Sequence, residues 1–178
     1  MSEDFERRTG IAPNAKPYES VWDYPRPPRL EGVEWRIGIV HAGVTIVDAP
    51  RAWRVLETSQ PPAYYVAPEF IDLDRMAPAS AGTRTVCEWK GVAQYADVVI
   101  EGAMGGPPAR VADAAWSYPS PTPGFSALGG HWAFYPQRMD ECWVDDERVA
   151  SNEGNFYGGW ITANVTGPFK GAPGTAHW

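Results

Sequence analysis

A thiol, an indole, an ammonium and a phenol lie close together in the middle of the chain. Cys87, Trp89, Lys90 and Tyr95 fall within nine positions of the segment 83–100, TRTVCEWKGVAQYADVVI. The segment predicts two strands joined by a tight corner after Lys90, where a glycine permits the backbone conformations that turns require. An ammonium at such a corner could bind an anionic ligand, lose its proton in an apolar site, or simply face water.

Cys87 is the candidate nucleophile of the chain. In the predicted strand it shares a face with Thr85 and Trp89. A nucleophilic thiol needs a nearby base, and the spacing of the three histidines identifies no partner for it. We therefore favour a buried structural thiol over a reactive one.

Glu57 is the candidate acid or base. It lies near the end of a predicted strand over residues 53–58, WRVLET, where its neighbours are apolar. A carboxylate in such surroundings could exchange protons with a ligand. The alternatives are a side chain that points at solvent and an ion pair with an arginine such as Arg51 or Arg54.

Aromatic side chains are spread over five of the predicted strands. They could simply form the core of the protein. Tyrosine hydroxyls need hydrogen-bond partners, however, so an aromatic-lined and partly wet pocket is an equally good interpretation. Such a pocket suits a flat or a cationic ligand. The residues concerned are Trp53, Tyr64, Tyr65, Tyr95, Trp116 and Tyr118.

Proline, glycine and tryptophan set the expected architecture. The 178 residues include 18 glycines, 18 prolines and nine tryptophans, and this tryptophan content is about three to four times the usual level. Proline removes a backbone donor and glycine costs backbone entropy, so the composition favours a mainly β protein of short strands. We expect a β body over 33–153 between two extended Pro/Gly-rich arms. For the arm 1–32 we favour a strap packed on the body over a mobile tail, and the arm 154–178 is expected to wrap the body or a partner subunit.

Two local patterns give more specific predictions. Residues 33–39, VEWRIGI, alternate between apolar and other side chains and predict one half-buried strand. Residues 68–76 place three apolar side chains on one stripe and predict one short helix. At about two turns, this helix would depend on tertiary packing.

Charge, hydropathy and cysteine spacing argue against several kinds of partner, location and metal site. The net charge is −7 and the longest basic block is a pair of arginines, which argues against a nucleic-acid partner. The chain has no run of 18 apolar residues and begins with the charged MSEDFERR, so we expect no membrane span, no signal peptide and a cytoplasmic location. Cys87 and Cys142 match no zinc spacing, so we predict free thiols, no metal site and no cofactor.

Several motifs rich in rare residue types occur in order along the chain. They are VWDYPRPP, DAPRAWRVLET, PP-x-YY, C-x-W-K-G-x-A-x-Y, AAW-x-YP-x-P, AFY, and FYGGWIT followed by GPFKGAPGT. Together they resemble the bacterial and fungal family catalogued as domain of unknown function 427. The resemblance covers about residues 18–178, nearly the whole chain.

The resemblance implies a compact β-tent-like domain, an architecture shared with methionine sulfoxide reductase B and the thalidomide-binding domain of cereblon. Those relatives often carry a four-cysteine zinc site, which the two cysteines of this chain cannot build. The family sometimes bears a nucleotidyltransferase label, and its usual proline after the cysteine is Glu88 here. The motif positions fall on Asp48, Arg51, Glu57, Tyr64, Tyr65, Cys87, Lys90, Gly91, Tyr95, Trp116 and Tyr118.

We therefore expect a protein that binds a small organic metabolite in an aromatic-lined pocket between its sheets. It could be a binding module or a cofactor-free acid–base enzyme of the isomerase, cyclase or hydrolase type. The two alternatives are a nucleotidyltransferase and a non-catalytic protein that forms a homodimer through its terminal arms. The predicted catalytic residues are Glu57 and Lys90, and the predicted ligand-binding residues are Arg51, Tyr64, Tyr65, Cys87, Tyr95, Trp116 and Tyr118.

Overall fold

Short β-strands make up most of the regular structure in the computed structural model, which describes residues 16–178. The first 15 residues of the predicted N-terminal arm lie outside the described residues. The mainly β class is confirmed. The strands are, in chain order, β1 (Glu19–Ser20), β2 (Arg29–Val33), β3 (Ile37–His41), β4 (Val44–Ala49), β5 (Ala52–Leu56), β6 (Ala63–Tyr65), β7 (Met76–Pro78), β8 (Arg84–Cys87), β9 (Gly91–Ile100), β10 (Ala109–Ser117), β11 (Trp132–Phe134), β12 (Glu141–Val144), β13 (Glu147–Arg148), β14 (Ala150–Ser151), β15 (Trp160–Ile161) and β16 (Val165–Thr166).

Three antiparallel sheets carry the body. In the five-stranded sheet, β11, β10, β9 and β7 lie side by side and β8 also pairs with β9. A four-stranded sheet has the order β13-β12-β3-β4, and a three-stranded sheet has the order β2-β5-β6. The main core is formed by buried aliphatic and aromatic side chains that include Ile37, Val98, Phe134 and Trp160. A second, more aromatic core around Tyr65 lies beside it and borders the candidate site.

The hairpin predicted over residues 83–100 is present. β8 and β9 pair with Cys87 opposite Gly91, and the loop 88–90 joins them. Gly91 has a φ of 107°, a left-handed conformation that favours glycine. The loop is fastened from outside the hairpin, because the backbone N–H of Thr122 donates to the carbonyl of Lys90 at 3.1 Å. The main chain of Lys90 is therefore held at a defined position.

The alternating segment 33–39 is not one strand, so this prediction is wrong. Val33 ends β2, which pairs with β5, whereas Ile37 begins β3, which pairs with β4 and β12. Residues 34–36 connect two different sheets, and the N–H of Arg36 donates to the carboxylate of Asp145 at 2.9 Å. Period-two alternation detects extended chain with one buried face, but it cannot tell when that chain leaves one sheet for another.

The short helix predicted over residues 68–76 is divided into two 3₁₀ turns. Ile71 between them is extended, with φ −114° and ψ 135°, and forms a bridge with Val47. A two-turn helix is only marginally stable alone, and the tertiary contact of Ile71 outweighs it. Within residues 16–178, no helical segment is long and apolar enough to cross a bilayer. The 3₁₀ segments are Val21–Asp23, Pro68–Phe70, Leu73–Arg75, Ala103–Gly105, Pro123–Leu128 and Pro136–Arg138.

The two terminal arms pair with each other on the surface of the body. β1 runs parallel to β16, with Glu19 opposite Val165. The indole N–H of Trp22 donates to the carbonyl of Pro168 at 2.9 Å. Val21 of the first arm and Val165 of the second are both buried against Leu56 of the body. The sheets also cross the predicted arm boundaries, since β2 begins before residue 33 and β14 pairs with β15.

A buried arginine fastens the N-terminal arm to the body. Arg54 is 3% exposed, and its two terminal nitrogens donate to the carboxylate of Glu19 at 2.9 and 2.7 Å. The same guanidinium donates to Glu31 at 2.9 and 2.6 Å and lies 4.8 Å from the ring of Trp35. Burial alone would raise the pKa of Glu19, but the hydrogen bonds from Arg54 and Tyr24 hold it below its usual value.

A buried aspartate organises a bulge in β10. The pairing of β10 with β9 shifts register within residues 111–115, where Asp113 has a φ of 49°. The carboxylate of Asp97 is fully buried and accepts hydrogen bonds from Arg110 Nε at 2.7 Å, Asp113 N at 2.9 Å and Ser80 N at 3.1 Å. Burial would raise the pKa of Asp97, yet these donors lower it to about 2. Asp97 therefore holds the bulge as a carboxylate.

Candidate functional site

A cavity of about 400 Å³ opens between the three-stranded and five-stranded sheets. This volume lies within the range of about 300–1,000 Å³ that is typical of small-molecule sites. β5 and β6 form one wall, the β8–β9 hairpin and β10 form the opposite wall, and the C-terminal arm closes one side. Eight aromatic side chains take part in the lining, and they are Tyr65, Trp89, Tyr95, Trp116, Tyr118, Tyr135, Phe156 and Tyr157.

The structure brings seven of the nine predicted site residues to this cavity, and two lie elsewhere. Arg51 is exposed, with its guanidinium 5.6 Å from the ring of Phe70. Tyr64 packs in the main core, 5.3 Å from the ring of Trp160, because neighbouring residues on β6 point to opposite faces. The seven lining residues are Glu57, Tyr65, Cys87, Lys90, Tyr95, Trp116 and Tyr118.

Lys90 is the most deeply buried charged side chain of the cavity lining, at 9% exposure. Its Nζ lies 5.6 Å from the ring centroid of Tyr118. Burial alone would lower the pKa of Lys90, but the neighbouring Tyr65, Cys87 and Glu57 raise it above its usual value. Lys90 is therefore an ammonium at neutral pH, which favours a cationic anchor over an uncharged amine.

Glu57 follows β5 directly and reaches the same cavity. Its side chain is 15% exposed, and its Oε1 lies 3.5 Å from Nε of Arg26. The expected alternative of an ion pair is thus realised with an arginine of the N-terminal arm rather than with Arg51 or Arg54. Arg26 also donates to the carbonyl of Thr58 at 2.9 Å, which holds it beside Glu57.

Four aromatic rings form a continuous wall around the buried end of the cavity. The indole N–H of Trp116 donates to the hydroxyl of Tyr65 at 3.1 Å. Ring centroids lie 4.5 Å apart for Trp116 and Tyr135 and 6.3 Å apart for Tyr65 and Tyr118. Burial raises the pKa of all three tyrosines. They are neutral phenols near pH 7, which can donate a hydrogen bond to a ligand oxygen.

The C-terminal arm contributes a cavity wall that the sequence reasoning missed. A Cβ added to Gly158 would lie 2.7 Å from Cζ3 of Trp116, so only glycine allows the backbone to pass this close to the ring. Lys170 also lines the cavity, and its Nζ donates to the main-chain oxygen of Trp178 at 3.1 Å. The available signal is the glycine pair between aromatics in FYGGW, which is typical of a close backbone approach.

Carboxylates are scarce at the cavity. Glu57 and Glu88 line it, and Glu88 is exposed in the hairpin loop. In the part of the chain that the structure describes, no group of three or more His, Cys, Asp or Glu side chains is placed to hold a metal ion. The expectation of a site without metal or cofactor stays a prediction.

The two cysteines are both free, as predicted, but they differ in their surroundings. Cys142 is 3% exposed and lies in the main core, where burial raises its pKa to about 12. Cys87 is only partly buried and lines the cavity, so the expectation that this thiol is buried is wrong, while its structural rather than reactive role stays a prediction. Cys87 ends strand β8, in which exposed and partly buried residues alternate. Cys87 occupies one of the partly buried positions and lines the cavity.

Alkylation with iodoacetamide at pH 7.5 is expected to modify Cys87 at least about tenfold faster than Cys142. The thiolate is the reactive form, and Cys142 is both inaccessible and protonated at this pH. Peptide mapping by mass spectrometry would give the two rates in the same sample. Equal rates in the folded protein would contradict the placement of Cys87 at the cavity.

Comparison with known protein families identifies the family to which this chain belongs. A family model described as a domain of unknown function (DUF427) matches residues 29–145, which is more than half of the chain. The name of the model includes a nucleotidyltransferase label. The matched range contains the cavity walls from β5, β6, the β8–β9 hairpin and β10, but not the wall from the C-terminal arm. No curated protein matches the chain.

Proposed function

Since the chain belongs to the DUF427 family, whose description leaves function open, we propose a function from the cavity. The protein binds a small organic metabolite there, with Lys90 and Glu57 as polar anchors. The observation that carries this proposal is a buried ammonium that borders a cavity of about 400 Å³ with eight aromatic side chains in its lining. Apolar walls with a few convergent polar groups are typical of small-molecule sites. The net charge of −7 also favours such a ligand over nucleic acid.

Acid–base catalysis is the chemistry that these side chains can supply without a cofactor. The Lys90 ammonium can donate a proton, the Glu57 carboxylate can accept one, and the neutral phenols of Tyr65 and Tyr118 can donate hydrogen bonds to a developing oxyanion. Positioned proton transfer accelerates a reaction by about 10²–10⁴-fold. An isomerisation, cyclisation or hydrolysis of a reactive substrate would need no more than this.

A thermal-unfolding screen against small molecules tests the proposal. The panel contains aromatic acids, amides and amines, and nucleotides with and without Mg²⁺. A ligand at 100 times its dissociation constant is expected to stabilise the protein by about 2.7 kcal/mol. For a domain of this size that corresponds to a rise in Tm of roughly 5–10 °C.

Variants of the cavity residues show whether a rise in Tm arises from binding at the cavity. The rise in Tm is expected to disappear in Lys90→Met and to weaken in Glu57→Gln, whereas Arg51→Met should behave as wild type because Arg51 lies outside the cavity. Methionine replaces the buried ammonium with an apolar chain of similar length, so the variant is expected to fold. A response that survives in both cavity variants, or silence across the whole panel, would refute the proposal.

Nucleotidyl transfer is the second candidate, and its support is the name of the matching family model. It predicts stabilisation by a nucleotide that requires Mg²⁺. If the nucleotides with Mg²⁺ are the only compounds that raise Tm, this candidate replaces the metabolite proposal.

A homodimer formed through the arms is the third candidate. It is supported by exposed aromatic side chains on the arms, with Tyr18 at 86%, Trp22 at 42% and Phe156 at 66% exposure. Such rings are typical of contact surfaces when they cluster. Sedimentation of the full chain at micromolar concentration would show whether it is a dimer.

A further inference from the structure

The charged side chains that line the cavity differ in their burial and in their partners. Glu57 already pairs with Arg26, and Lys170 already donates to the oxygen of Trp178. Glu88 is exposed, so water screens its charge. Lys90 differs from these three, because it is buried and, within residues 16–178, no carboxylate lies within ion-pair distance of its ammonium.

A buried ammonium without a direct ion pair is available to an anionic ligand. Lysine is almost never fully buried unless it is paired, because removal of the charge from water costs several kcal/mol that only a partner can offset. Glu57 favours the charged form from beyond ion-pair distance, and the ring of Tyr118 at 5.6 Å adds partial compensation through its negative face. The structure therefore leaves room for one negative charge next to Lys90.

We infer that the ligand is an aromatic monocarboxylate whose carboxylate binds Lys90. This inference rests on the proposed function and names its substrate class. The phenols of Tyr65 and Tyr118 stay neutral and can donate hydrogen bonds to the same carboxylate. The flat part of the ligand then lies against the wall formed by Trp116 and Tyr135.

The number of available cations decides between a carboxylate and a phosphate. A phosphate ester carries more charge and accepts more hydrogen bonds, and its usual sites offer an arginine fork or several cations. Among the described residues that line the cavity, the lysines Lys90 and Lys170 supply the cationic side chains, and Lys170 is less buried and already donates to the main-chain oxygen of Trp178. One unpaired ammonium matches one carboxylate.

A matched set of ligands tests the inference. Each of three rings, benzene, naphthalene and indole, is supplied with a carboxylate, a carboxamide and an ammonium substituent, together with phenyl phosphate. Binding is measured by thermal unfolding and, to localise it, by protection of Cys87 from iodoacetamide. For at least one ring, the carboxylate is expected to bind about tenfold or more tightly than its carboxamide, as a charge-assisted hydrogen bond implies.

Variants of Lys90 separate the effect of the ligand's charge from the effect of its shape. In Lys90→Met the carboxylate and the carboxamide are expected to bind within about twofold of each other, while Lys90→Arg should keep a preference for the carboxylate and Arg51→Met should match wild type. If amides or amines bind as tightly as carboxylates and protect Cys87, the inference fails but the proposed function stands. Tighter binding of phenyl phosphate would also overturn the carboxylate assignment. If no compound of any ring binds, both fail.

Discussion

Replacement of Arg54 by methionine is expected to lower the free energy of unfolding by about 3 kcal/mol at pH 7. Removal of one partner from a buried ion pair typically costs about 3–5 kcal/mol, because the other charge is left without compensation. Here the lower end applies, since Glu31 is one-third exposed and can recover some hydration. Glu19 is 15% exposed and cannot recover as much. Urea denaturation followed by tryptophan fluorescence would measure the change.

Arg29→Met is the matched control for this experiment. Arg29 also pairs with Glu31, at 3.3 Å, but its side chain is 58% exposed. Exposed pairs contribute about 0–1 kcal/mol, so this variant should stay close to wild type. A loss in Arg54→Met no larger than the loss in Arg29→Met would show that the buried cluster does not hold the arm.

Asp97→Asn is expected to lower the free energy of unfolding by about 2 kcal/mol at neutral pH and by much less at pH 2. The pKa of Asp97 is about 2 in the folded protein, below its ordinary value of 3.8. A depressed pKa stabilises the folded state above the unfolded pKa, and that contribution disappears as the pH falls through the folded pKa. A difference of nearly two units corresponds to about 2 kcal/mol.

The measurement compares the stability of wild type and variant at pH 7, 4 and 2. The gap between them should stay nearly constant down to about pH 4, the ordinary value for an aspartate, and then close. Asp74→Asn is the control, because Asp74 is exposed, and its gap should be near zero at every pH. A gap for Asp97→Asn that is independent of pH would contradict the role of its charge at the bulge.

Local sequence rules located most of the candidate site because its residues are concentrated in one hairpin and its neighbours. Glycine at the corner and alternation along the strands were enough to predict the β8–β9 hairpin and to put Cys87 and Lys90 near each other. The rest of the cavity depends on contacts between distant segments. Gly158 meets Trp116, and Arg26 meets Glu57, across separations that no local pattern encodes.

The incorrect predictions also result from contacts between distant segments. The alternation of residues 33–39 is real, but the sequence does not show that residues 34–36 pass from one sheet to another. The apolar stripe of residues 68–76 is also real, but the pairing of Ile71 with Val47 divides the helix that it predicts. Tyr64 and Tyr65 were both predicted to line the pocket, although adjacent strand residues face opposite sides. In each case tertiary context decided between structures that the local pattern allows.

The parallel ladder between β1 and β16 links the hydrogen exchange of the first arm to the attachment of the second. The N–H of Glu19 donates to Asn164 and β1 lies beside β16, so the backbone amides there become exposed when either arm detaches from the other. The C-terminal arm also forms a cavity wall through Tyr157 and Gly158. A bound ligand would hold the C-terminal arm in place, so the exchange at residues 19–24 that begins with detachment of this arm should slow when a ligand occupies the cavity. Hydrogen exchange in the first arm would then detect ligand binding at the cavity, although the residues of β1 do not line that cavity.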